Sequence, residues 1–154
     1  MTMTVEKPIA LELTRHFDAP PEQVFAAWLD KSCGDWMGPP GVKGEVAILE
    51  PVIGGRYHLV MHISGRGDIP VEGVFKTIDR PSPGKMGKFA FTWGWALSGH
   101  GDTLVSVSLK DLGGKTELTL THEGLPTAED REGHGRGWNS TLNKLERYLK
   151  GERT

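Results

Sequence analysis

Apolar and polar residues alternate along most of this chain, and the period of the alternation changes with position. Leu11, Leu13, Arg15 and Phe17 take turns with Glu12, Thr14 and His16, the period-two pattern of a half-buried strand. Asp18-Ala19-Pro20-Pro21-Glu22 then predicts a helix start. Asp18 is a capping type, the prolines suit a first turn and Glu22 complements the helix dipole. Val24, Phe25, Trp28 and Leu29 repeat at helical spacing on this short helix. A second helical piece is expected over Lys31 to Met37, stopped by Gly38-Pro39-Pro40-Gly41.

The middle of the chain predicts strands. Candidates run over Val46 to Pro51, Tyr57 to Ile63, Val71 to Asp79, Phe89 to Ala96, Val105 to Lys110 and Glu117 to His122. Glycine- and proline-bearing turns separate them, and Gly113-Gly114 fits a two-residue hairpin. From about Thr127 the period becomes helical, with His134, Trp138, Leu142, Leu145 and Leu149 on one stripe. Thr127 with Asp130 resembles a capping box, and Gly151 is a C-terminal stop. Gly133, Gly135 and Gly137 weaken the start of this helix, each by about 1 kcal/mol against alanine. Either the helix begins near Gly137, or close packing there requires small residues. Hairpin-linked strands make an antiparallel sheet, and the large apolar surface left to cover it is the C-terminal helix. The expected fold class is α+β: a curved antiparallel sheet of about six or seven strands around a long C-terminal helix, plus one or two short helices after the first strand. Residues 1–8 are expected to form a flexible N-terminal tail, and 9–150 a single domain.

Charge and composition remove several function classes. Among 154 residues, 18 Lys and Arg balance 20 Asp and Glu, a formal charge of -2. Such a chain has no basic footprint for nucleic acid and no polybasic membrane patch. No apolar run approaches the roughly 20 residues of a membrane span. The single cysteine, Cys33, excludes an intrachain disulfide and a cysteine-rich zinc site. No signal peptide is recognisable in Met1 to Ile9, so the expected location is cytoplasmic. Gly65-Arg66-Gly67 lacks the rest of a dinucleotide loop, and no Gly-x-Ser-x-Gly elbow is present.

Histidines and aromatics carry what chemistry remains. His58 and His62 lie about 13 Å apart on a strand and opposite Tyr57, Leu59 and Met61, so they are expected to face water without a metal. His122 continues the apolar face of Leu118 and Leu120 and is expected to point at the helix. A buried imidazole needs a hydrogen-bond partner and can titrate near neutrality. A paired core histidine, a polar anchor for a ligand and an acid/base group are all compatible with that position. His134 sits a turn before Trp138 and could contact a ligand. Trp36, Tyr57, Phe91, Trp93, Trp95 and Trp138 are expected to point inward or to rim the space under the helix. So many large rings converging on one helix make either a packed core or a ligand-sized apolar pocket.

Four stretches resemble a known family. Arg15-His16-Phe17-Asp18-Ala19-Pro20, followed by Val24-Phe25-Ala26-Ala27-Trp28, is similar to the opening of the START-like, SRPBCC superfamily. Trp36-Met37-Gly38-Pro39 is similar to a Trp-Trp-Gly-Pro element, with Met37 in place of the second Trp. Gly54-Gly55-Arg56-Tyr57 with Met61-His62 looks like a second-strand signature. Leu120 to Leu125, then Gly137-Trp138 and Leu142-Leu145-Tyr148-Leu149, match the closing strand and helix. Together they resemble the family named after the C-terminal domain of the activator of Hsp90 ATPase, over about residues 9–150.

The resemblance implies a helix-grip fold with an apolar cavity between sheet and helix. It does not imply one activity, since members resemble ligand binders, cyclase-like proteins and co-chaperone domains. Chaperone activation is not carried over, because the activator has a separate N-terminal domain for which 154 residues leave no room. The expectation is non-covalent binding of a small hydrophobic or aromatic molecule. Its site would be lined by Tyr57, Met61, Trp93, Trp95, His122 and Trp138, with Trp36 near the mouth. No catalytic residue, metal or cofactor is assigned. The alternatives are a cyclase- or hydratase-like enzyme using His122 as acid/base, and a co-chaperone-type interaction domain. Expected partners are a small hydrophobic molecule, no nucleic acid and no membrane, with a homodimer and a chaperone partner left open.

Overall fold

The structure is a computed structural model describing residues 9–39, 41–63, 65, 67–95 and 103–151, the side chain of Trp95 excepted. The expected tail at 1–8 lies outside the described residues. Strand β1 (Ile9–Phe17) is followed by α1 (Pro21–Trp28) and a 3-10 helix, Lys31–Asp35. Then come β2 (Lys43–Leu49), β3 (Arg56–Ile63), β4 (Gly67–Asp79), β5 (Gly87–Trp95), β6 (Thr103–Asp111), β7 (Thr116–Leu125) and α2 (Ala128–Leu149). The strands form one antiparallel sheet in the order β1-β7-β6-β5-β4-β3-β2. It is curved and unclosed, and β1 and β2 are its edges. Register shifts at Ile9/Leu11, Val46/Ile48 and Phe75/Thr77 mark bulges, which bend and twist a sheet.

Local chemistry sets the element ends. The β6–β7 turn has positive φ at Gly113 and Gly114, the type I′ geometry that matches strand twist. The Asp111 carboxylate accepts both their N–H groups at 3.0 Å. Asp18 does not cap α1. The chain stays extended through Pro20, which occupies the cap without a side-chain bond, and the Pro20 carbonyl accepts the N–H groups of Gln23 and Val24. The second helical piece is 3-10, capped by Asp30 on the Ser32 N–H at 3.0 Å. It lies against β2 because two glycines meet there. A Cβ on Gly34 would stand 2.6 Å from the Gly44 carbonyl oxygen, and one on Gly44 would stand 2.8 Å from that of Gly34.

Helix α2 starts at Ala128, well before Gly137, so the three glycines lie inside it. Thr127 caps it. Its hydroxyl oxygen accepts the Asp130 N–H at 3.0 Å and its O–H donates to the Asp130 carboxylate at 2.8 Å. Trp138, Leu142 and Leu145 are buried against the sheet, and so are Leu109, Leu118 and Leu120 on its inner face. Arg15 of β1 clasps the helix from the edge, donating to the side chains of Asn139 and Asn143 at 2.9 and 2.7 Å. His58 and His62 face away from the core. His62 stands 2.6 Å from Asp68 and 3.2 Å from Glu45, and those hydrogen bonds hold its pKa above the usual value. Among the described residues no helix is long and apolar enough to cross a membrane.

Two substitutions test this packing. Leu142→Ala is expected to lower the unfolding free energy by about 2–5 kcal/mol. Gly44→Ala is expected to cost about 1–3 kcal/mol through the clash with the 3-10 helix. Urea unfolding measures both, and a loss below about 0.5 kcal/mol at Leu142 would mean that α2 is not docked.

Candidate functional site

Helix α2 docks on the sheet through Leu142 and Leu145 in its second half and through Gly135 against Leu11 of β1 in its first. Between its first half, the loop Met37–Pro39 and the ends of β3 and β5 lies a cavity of about 360 Å³, within the range of small-molecule sites. Met37, Met61, Trp93 and Trp138 form its apolar walls. Gly133, Gly137 and Thr141 are the floor supplied by the helix, and Glu129, Asp130, His134 and Arg136 add polar groups.

The glycines account for the space. A Cβ on Gly137 would meet nothing within 4 Å, and one on Gly133 only the Arg136 guanidinium at 3.9 Å. Neither position is small because of packing within the protein. Both line the cavity, and each carries a helix-propensity cost of about 1 kcal/mol.

The facing wall is a loop bound to the same helix. Lys144 donates to the carbonyl oxygens of Met37, Pro39 and Val42 at 3.4, 3.1 and 3.3 Å, and burial lowers its pKa. The Thr141 hydroxyl accepts the Gly38 N–H at 3.0 Å. Gly38 has φ +98, a conformation open to glycine. The loop is therefore fixed by backbone contacts, and its side chains are left to shape the cavity.

His122 is fully buried. The Trp138 indole N–H donates to its Nδ1 at 3.0 Å. Because an indole nitrogen only donates, the neutral imidazole carries its proton on Nε2. Nε2–H donates to Thr103 Oγ1 at 2.6 Å, and the Thr103 O–H donates to the Trp93 carbonyl at 3.0 Å. The chain of bonds therefore begins and ends on the two cavity tryptophans, whose rings lie 5.1 Å apart. Burial, and secondly the His134 ring beside it, lower the His122 pKa to about 3.

The expected site residues fall in different places. Met61, Trp93 and Trp138 line the cavity. His122 does not line it but holds Trp138. Tyr57 points inward yet lines a separate void of about 40 Å³, with Phe75 and Phe91, and its O–H donates to the Thr92 carbonyl. Trp36 is not at a mouth. It is 1% exposed and packs edge-on against Trp28 at 4.9 Å, because the 3-10 helix turns it into the core. Trp95 pairs with Val71 at the end of β5, and its side chain lies outside the described residues. The pattern of the sequence missed Met37, Thr141 and Thr103. Thr141 was findable, three residues beyond Trp138 on the helix. Met37 follows a 3-10 turn with no usable period, and Thr103 is placed only by the β5–β6 register. Cys33 is buried, and burial pushes its thiol up to about 12, so it offers no thiolate.

Comparison with known proteins gives the same architecture. The chain is similar to the crystal structure of a Chromobacterium violaceum protein, with a TM-score of 0.80 and 26% identity over 91% of this chain and 96% of that one. It is similar to a solution structure from Arthrobacter aurescens, with a TM-score of 0.77 and 20% identity over 92% and 86%. It is also similar to the AHSA1 protein of Silicibacter pomeroyi, with a TM-score of 0.74 and 24% identity over 92% and 98%. No curated protein matches the sequence. The sequence profile of the activator of Hsp90 ATPase homolog 1-like proteins matches residues 18–150. With its START-like helix grip and this match along most of its length, the chain belongs to the activator of Hsp90 ATPase homolog 1-like family.

Proposed function

We propose that this protein binds a small apolar molecule, without covalent chemistry, in the cavity between α2 and the sheet. The observation that carries this reading is the cavity of about 360 Å³ walled by Met37, Met61, Trp93 and Trp138. Two braced indoles offer a flat, rigid apolar surface, and two thioethers adapt to what lies on it. Glu129, Asp130 and Arg136 leave a polar rim for the end of the ligand that stays wet. His122 is a positioning residue that acts through Trp138.

An acid/base role for His122 is disfavoured on physical grounds. General acid–base work near neutrality needs a group that exchanges protons there. His122 has a pKa of about 3, and both its ring nitrogens are engaged.

Ligand binding is checked with naphthalene, indole and decanol, read by tryptophan fluorescence and melting temperature. A ligand at a hundred times its Kd adds about 2.7 kcal/mol of stability, a rise of about 5–10 °C for a chain of this size. Gly137→Leu fills the cavity from the helix side. It is expected to weaken binding at least tenfold while leaving the ligand-free melting temperature unchanged or higher. A panel that moves neither signal refutes the reading.

The role of His122 is read from pH dependence. The unfolded imidazole protonates below about 6.5, and the folded one only near 3. Its stabilising contribution is complete above pH 6.5 and is lost as pH falls toward 3, by about 1.4 kcal/mol per unit. His122→Phe leaves the Trp138 N–H without its acceptor and the Thr103 oxygen without its donor, so it is expected to be less stable at pH 7 by about 1–3 kcal/mol. The gap between the two proteins should narrow steadily from pH 6.5 to 4.5 in urea unfolding. A gap independent of pH would show that His122 titrates normally in the fold.

A further inference from the structure

The cavity and the inner void have two lining residues in common, Met37 and Trp93. These two side chains form the partition between the spaces, and their freedom differs. Trp93 is fixed. Its ring is held by packing, 5.1 Å from Trp138 and 6.3 Å from Phe91. Met37 is unbranched, with three rotatable side-chain bonds and space on both sides. Its backbone is held independently of its side chain. The N–H donates to the Cys33 carbonyl at 3.0 Å and the carbonyl accepts from Lys144. Swinging the thioether therefore breaks no hydrogen bond.

The inner void suits hydrocarbon. Leu59, Phe75, Phe89 and Phe91 line it. The Tyr57 hydroxyl is engaged on Thr92, and the Cys33 thiol is uncharged. At about 40 Å³ it has room for water, but a buried water needs two to four polar partners. The unpartnered indole N–H of Trp28 is one donor. A lining this apolar favours hydrocarbon over water.

We propose that Met37 is the gate of one extended site: the ligand is elongated, and its hydrocarbon tail reaches the inner void by displacing the Met37 side chain. This rests on the cavity being a ligand site, and it names the ligand class as a molecule with a linear apolar tail. Met37 then sets how much tail length is rewarded.

The test is calorimetry with 1-alkanols from hexanol to tetradecanol, on the wild type, Met37→Ala and Met37→Leu. Each methylene entering apolar space tightens binding by about fourfold. In the wild type the gain per methylene should shrink once the cavity is full, because further carbons must move Met37. In Met37→Ala the fourfold gain should continue past that length. In Met37→Leu, which keeps the volume but is branched and less adaptable, it should stop there. Leucine preserves the core, so the comparison stands even where Met37→Ala does not fold. The methyl resonance of Met37 in ¹³C-methionine-labelled protein, assigned by its loss in Met37→Leu, should shift further with long alkanols than with hexanol. The same length dependence in wild type and Met37→Leu, with an equal methyl shift for all alkanols, overturns the gate and leaves the cavity as a ligand site. A wild type that binds no alkanol overturns both.

Discussion

The indole N–H of Trp138 can donate and do nothing else, and the centre of this protein is arranged around that fact. Its acceptor is Nδ1 of His122, which forces the imidazole proton onto Nε2. Nε2 donates to Thr103, and Thr103 to the carbonyl of Trp93. Each donor in this chain has one acceptor, so a histidine with no exposed surface is tolerated without charge. Removing one member would orphan its neighbours in a dry interior, at about 1–3 kcal/mol each. The bonds tie α2 to the β5 backbone through β6 and β7, so the Trp138 ring is held by polar geometry as well as by contact, and the Trp93 ring by contact.

That bracing lets the molecule keep a gap in its core. Packing alone favours collapse of any void, because atoms facing empty space lose their dispersion partners. Here collapse is resisted from both sides. The Trp138 ring cannot turn without breaking its bond to His122, and the Trp93 ring is packed against it at 5.1 Å. The opposite loop cannot sag because Lys144 and Thr141 hold its backbone. The helix divides the work along its length. Leu142 and Leu145, both fully buried, dock the second half. In the first half Gly133 and Gly137 face open space and weaken the helix by about 1 kcal/mol each. The docking residues Leu142 and Leu145 lie just beyond the cavity-lining stretch of α2, which runs from Glu129 to Thr141.

Much of this was legible in the sequence, because strand alternation reports which face a residue occupies. Tyr57, Met61, Trp93 and His122 all point inward, as their parity requires. Parity does not report which part of a face the helix covers. Tyr57 and Met61 share a face of β3, yet only Met61 reaches the cavity, since Trp28 and Leu29 of α1 with Cys33 of the 3-10 helix lie over the space beside Tyr57. Trp36 follows a 3-10 turn, where no period tells inside from outside. Asp18 has the chemistry of a cap, but the extended chain through Pro20 takes the cap position. The glycines of α2 were visible as a conflict between propensity and pattern. The capping box at Thr127 resolves that conflict by starting the helix ahead of them.

The same bonds that shape the site also limit what His122 can do there. A histidine at the centre of a pocket is ordinarily the first candidate for proton transfer, since its free pKa lies near neutrality. Two conditions turn that candidacy into chemistry: a lone pair that can reach a substrate, and a charged form that the site can hold. The Trp138 indole occupies the lone pair. Burial, followed by the neighbouring His134 ring, disfavours the charged form. The imidazole is left as a rigid neutral strut, and the walls of the cavity belong to rings and thioethers, with Glu129, Asp130, His134 and Arg136 adding polar groups from the helix. Apolar walls of this kind discriminate by shape and apolar area, and His122 contributes to them by fixing the Trp138 ring.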